Sequence, residues 1–293
     1  MNATRSIANV LILALALAPM AAPAHEFWVE PSRFNLEPGG RIGVRLCVGD
    51  GFEGWSLARD PRRIERFVAA GAMGDVPVVG LDGSDPAGVV RLAAPGGYIV
   101  TYSSNRAFTV VPAAEFDRYV DEKGLEKSLA ERGRQGAKRG SVREAYSRHS
   151  KALVNVGNPD AGAFDRATGL RLELVAESSL SRVDADASRS FRLLHEGKPL
   201  VGALVTATRP GTADADLKVR TDSAGRARFR LHAPGMWRIA AAHLLVAPDN
   251  IASDWESLWA SLTFELASPG GAGRAAGTEC SNKVAASTAQ ARP

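Results

Sequence analysis

The chain has 293 residues, 45% of them hydrophobic and 23% charged, with a formal charge of +4. That is the composition of a folded globular protein, and it excludes wholesale disorder or a collagen-like repeat. Thirty-six Lys and Arg against 32 Asp and Glu make no case for nucleic acid, and two cysteines exclude a disulfide-dense scaffold or a Cys-rich metal cluster.

Arg5 is the only charge in the first 24 residues, Val10 to Leu17 is the apolar run VLILALAL, and Ala22-Pro23-Ala24 is a small-residue cleavage signal. This is the three-part layout of a secretory signal peptide. The run is shorter than the about 20 residues a bilayer span needs. Residues 1–24 are therefore expected to be removed, leaving an exported, periplasmic protein with no stable membrane span. Cleavage after Ala24 would make His25 the first residue. A terminal His offers its amine and imidazole Nδ1 together, and the two can close a chelate ring. Neutral nitrogen donors suit copper, nickel and zinc. If cleavage falls a residue or two away, His25 is an ordinary strand-start residue.

Residues 25–112 read as short strands. HEFWVEP alternates His25, Phe27 and Val29 against Glu26, Trp28 and Glu30. RIGVRLCV places Ile42, Val44, Leu46 and Val48 on one face and Cys47 on the other. Turn signals recur about every ten residues, a spacing that suggests a β-sandwich. Residues 113–152 have few β-branched residues and many Glu, Lys and Arg. Phe116, Tyr119 and Val120 have helical spacing, and Gly133, Gly136 and Gly140 interrupt it, which predicts a helix, a loop and a second helix.

Residues 153–267 return to β. Leu170, Leu172 and Leu174 alternate with Arg171, Glu173 and Val175. A turn at Gly197-Lys198-Pro199 joins two strands, and Asp222 to Gly225 is a second turn. Trp237, Ile239, Ala241 and His243 share one strand face, and Leu258, Ala260, Leu262, Phe264 and Leu266 share another. Tight turns and no long helix describe a second sandwich. Residues 268–293 lack apolar periodicity and are expected to be a disordered tail. Cys47 and Cys280 could pair in an oxidising compartment, but with one in a core-like strand and the other in that tail, a structural disulfide is the less expected outcome.

Five histidines can be weighed singly. His149 lies in the basic stretch expected to be helical, beside Arg148 and Lys151, where positive neighbours work against a bound cation. His195 and His232 adjoin turns and are expected to be exposed. No HExxH, G-x-S-x-G or P-loop pattern is present. His25 and His243 remain as metal-ligand candidates, and a shared site would combine the terminal amine with two imidazoles. Glu26 and Asp254 are weaker candidates; for Asp254 the competing reading is a cap ahead of WESLW.

AHEFWVEP, SRHSKALVNVG, GKPLVGALV, TDSAGRARFRL, PGMWRIAAAH and DWESLWASLTFEL, in that order, resemble a family of bacterial periplasmic proteins of unknown function, described as nickel-uptake transporter auxiliary components. The resemblance runs from about residue 24 to residue 267. GKPLVGALV followed by TDSAGRARF also resembles carboxypeptidase regulatory-like and transthyretin-like sandwiches, a likeness of fold alone. The family resemblance implies an exported accessory protein that delivers a divalent metal to an inner-membrane transporter. It also implies roles for His25, Glu26 and Phe27 at the mature start and for His243 at the end of the Trp-bearing strand. The expectation is two immunoglobulin-like or transthyretin-like β-sandwiches, 25–112 and 153–267, with a helical connector at 113–152. The ion would be nickel, copper or cobalt. The competing functions are a copper-dependent oxidase or monooxygenase with an N-terminal His site, and a non-catalytic envelope binding module.

Overall fold

A computed structural model describes residues 25–50, 52–126, 140–157, 165–180, 182–183, 188–211, 217–268 and 280. The expected signal segment, and the expected tail apart from Ser268 and Cys280, lie outside the described residues.

In chain order the first half forms β1 (Glu26–Pro31), β2 (Asn35–Leu36), β3 (Gly40–Asp50), β4 (Glu53–Leu57), β5 (Ile64–Gly71), β6 (Gly74–Pro77), β7 (Gly88–Leu92), β8 (Gly96–Ser104) and β9 (Ala107–Pro112). Helix α1 (Ala113–Glu122) follows. The second half forms β10 (Ser141–Val156), β11 (Leu172–Ala176), β12 (Ser188–His195), β13 (Lys198–Pro199), β14 (Leu204–Thr208), β15 (Leu217–Arg220), β16 (Arg226–Arg230), β17 (Gly235–Val246) and β18 (Trp255–Leu266). The fold is mainly β, as the alternating patterns predict.

A long sheet in the order β15-β14-β17-β18-β10-β8-β5-β6, with β2 and β9 also on β10, runs through the molecule. One small sheet, β1-β3-β4 with β7, packs on one face of it; another, β11-β12-β13 with β16, packs on the other. Period-2 alternation sends alternate side chains of each long strand to different cores. From β10, Ala152, Val154 and Val156 enter the first core with Trp28, Val44 and Leu92, while Leu153 enters the second with Leu172, Leu193 and Leu262. Each fully buried Val or Leu among them contributes roughly 1.5–3 kcal/mol of burial. Trp237, Ile239 and Ala241, with Leu258 to Leu266, lie in the second core as their alternation predicts. The turn after Asp222 closes on Gly225 at φ +72°, where a Cβ would meet the Leu193 carbonyl at 2.9 Å. The position needs glycine on both counts. Phe116, Tyr119 and Val120 of α1 pack against Trp255 and Trp259, as their helical spacing requires.

Two expectations are overturned. Residues 141–152 are not a second helix: β10 is a 16-residue strand, antiparallel to β9 and parallel to β18. Its charges suggested a solvated helical face, yet several are buried and paired. Lys151 Nζ lies 2.7 Å from Asp165 and 3.2 Å from Glu173, and Glu144 accepts from Tyr119 and Ser257. Arg148 stacks over Phe27, 4.7 Å from the ring centre. Partners elsewhere in the chain override local composition. Cys280 likewise does not behave as part of a loose tail: it is buried and forms a disulfide with Cys47, with Cα atoms 6.1 Å apart.

Candidate metal centre

His25 stands just ahead of β1, opposite the end of β3. Register pairs Glu26 with Gly49, which brings Asp50 alongside. His25 Nδ1 lies 2.9 Å from Asp50 Oδ2. The imidazole is 18% exposed and the carboxylate 67%, so the pair opens to solvent. The edge of the imidazole meets Trp55 of β4, with ring centres 5.3 Å apart. One ring nitrogen thus faces a carboxylate oxygen, and the ring is held by an indole.

The weaker candidates are committed elsewhere. Glu26 is buried, with one carboxylate oxygen 3.0 Å from Lys123 Nζ and the other on the Arg238 guanidinium. Asp254 accepts from the Arg143 backbone at 2.9 Å and its guanidinium at 3.0 Å. It leads into strand β18, so no helix follows for it to cap.

His243 is not with His25. Along β17, Arg238 points to β1, where it meets Glu26 and stacks over Trp28 at 4.9 Å. His243 is five residues on, so alternation turns it to the other face of the sheet, toward the second core. There its ring meets His195 of β12, with centres 4.8 Å apart and planes at 64°. Burial pushes the His243 ring down to about 4, with His195 adding to the shift. Burial lowers His195 as well, against an opposing pull from Glu196. Among the described residues, His195 Nε2 is buried without a hydrogen-bond partner and lies 3.9 Å from Glu196 Oε1. His149, on the same sheet face from β10, is buried with Nε2 3.0 Å from Ser147 Oγ. Burial pushes it to about 4, with Arg171 in support. His232 is exposed, as expected.

Sequence reasoning missed Asp50 and His195. For His195 a signal existed: in SRSFRLLH it has the parity of Phe191 and Leu193, both core residues. The adjoining Glu196-Gly197 turn outweighed that parity. Asp50 depends on the β1–β3 register, for which the sequence holds no comparable signal. Among the described residues, Glu30, Cys47 and Cys280 are a three-residue group compact enough for an ion. With the sulfurs joined in a disulfide, neither cysteine offers the thiolate that ligates metal.

Residues 22–244 match the family described as "Domain of unknown function (DUF4198)". The chain belongs to that family. No curated protein matches the chain. Among solved structures, the D0-D1 domain of Intimin aligns over 82% of this chain and 97% of its own, at 13% identity and a TM-score of 0.21. So slight a likeness adds nothing to the reading of the site.

Proposed function

We propose that this protein is an exported accessory protein that captures a divalent transition metal and hands it to an inner-membrane transporter. Nickel, copper or cobalt is the expected ion. The metal is cargo, and the protein performs no chemistry on it. The observation that supports this reading is the His25–Asp50 contact. Two donor atoms bound to one ion at about 2.0–2.1 Å and near 90° lie about 2.9 Å apart, and Nδ1 and Oδ2 are separated by 2.9 Å. Removal of the signal segment ahead of His25 adds a free amine on the same residue. The set is then amine, imidazole and carboxylate, a nitrogen-rich site suited to the later first-row ions. A site at a chain terminus loads and unloads without opening the core, as handover requires. Export to the periplasm follows from the signal-peptide layout, and the transporter partner from the family resemblance.

Isothermal calorimetry with Ni(II), Co(II) and Cu(II) tests this. It compares tag-free protein beginning at His25 with the same chain carrying a Met ahead of His25. The extra residue should weaken binding by about 10-fold or more, because the amine leaves the ligand set. Asp50→Asn in the trimmed chain should weaken it by about 10-fold, as a weaker donor replaces the carboxylate. Equal affinity with and without the Met contradicts the proposal.

A further inference from the structure

We propose that His195 and His243 form a second binding site for a divalent late transition-metal ion, separate from the one at His25. The two imidazoles come from facing sheets, β12 and β17, and meet at the edge of the second core. A ligating nitrogen sits about 2.0–2.1 Å from such an ion and its ring centre about 1.1 Å further back, so two rings on one ion at about 100° have centres about 4.9 Å apart. The observed separation is 4.8 Å. That angle falls between the square-planar and tetrahedral values, within reach of copper, nickel and zinc.

The hydrogen-bond inventory points the same way. Among the described residues, His195 Nε2 is buried with no hydrogen-bond partner. Among the described residues, the two rings meet each other, and His195 also approaches Glu196. Buried polar atoms are ordinarily satisfied, and an exception calls for an explanation. An ion bound at the pair supplies one. The surroundings do not oppose a cation. Arg171 is 2.7 Å from Glu256 and 3.8 Å from Glu196, and Arg106 is 2.5 Å from Glu256; Lys198, the register partner of His195, is exposed, so solvent screens its charge. Glu196 is 61% exposed and the His195 side chain 23%, so an ion can reach the rings from solvent and Glu196 stands close enough to turn in as a third donor. The inference is independent of the N-terminal site, since it needs no free amine.

The test uses the tag-free full chain carrying a Met ahead of His25, which silences the terminal amine, titrated with zinc chloride. Long-range proton–nitrogen spectra of the imidazoles should show His195 and His243 shifting together and saturating at about one equivalent, with His149 and His232 unmoved. His195→Gln and His243→Gln should each weaken zinc binding by about 10-fold or more, with far-UV circular dichroism unchanged. If a variant fails to fold, the wild-type spectra decide alone. Zinc shifts confined to other histidines, or undiminished affinity in both folded variants, overturn the proposal.

Discussion

Lys151 and the His195–His243 pair belong to the same sheet-to-sheet core, on the same face of the long sheet, and are built in opposite ways. Lys151 pairs in register with Leu262 of β18, and His243 with Leu258 on that strand. Lys151 donates to Asp165 at 2.7 Å and to the Arg166 carbonyl at 3.1 Å, and lies 3.2 Å from Glu173. Glu173 accepts from the backbone of Thr168, Gly169 and Leu170 and from the Thr168 hydroxyl. Asp165 accepts from the Ala176 backbone. Burial alone would drive the Asp165 carboxyl up strongly, and Lys151 works against that rise. Here the fold buries charges and surrounds them with partners. At the imidazole pair it leaves His195 Nε2 without a hydrogen bond among the described residues. The saturated cluster serves stability, and the unsaturated pair is where an incoming ligand has something to gain.

The largest break in this comparison comes at the saturated cluster. Lys151→Met should cost about 3–5 kcal/mol, because Asp165 and Glu173 stay buried without their cation; urea unfolding measures it. The next effect is His149's share of the acid limb, to which the equally lowered His243 also contributes. Its folded value of about 4 lies below the ordinary 6.5. Between those values the unfolded chain binds a proton that the folded chain refuses, so stability falls as pH falls across the window. The loss is on the order of 3 kcal/mol by pH 4. The difference between wild type and His149→Gln, followed by denaturation from pH 7 to 4 in chelator, isolates that term. Smallest of all should be His195→Gln and His243→Gln without metal, each within about 1 kcal/mol of wild type. Zinc at about 100 times its Kd should then add about 2.7 kcal/mol to wild type and far less to either variant. A large loss in metal-free His243→Gln would instead make the pair a structural element like Lys151.

Much of the second core was legible because strand alternation is local. Trp237 to His243 and Leu258 to Leu266 declare their inward faces with period 2 and need no knowledge of the partner strand. β10 was not legible, since Glu144, Arg148 and Lys151 look solvated until Tyr119, Phe27 and Asp165 arrive from elsewhere in the chain. Cys280 was hidden for the same reason: the composition around it says nothing of Cys47. At the candidate site, His25 and the inward parity of His243 could be read directly. Asp50 could not, because it reaches His25 only through strand pairing. The separation of His25 from His243 also needed topology, which sets β1 on one face of the long sheet and His243 on the other.

The most direct test of two separate metal sites is a count of bound ions. Equilibrium dialysis against nickel chloride, with elemental analysis, would compare protein beginning at His25 with protein carrying a Met ahead of it, each with and without His195→Gln and His243→Gln together. The trimmed wild-type chain should hold about two ions, either single alteration about one, and the combination close to none. A count that neither alteration lowers would contradict the account.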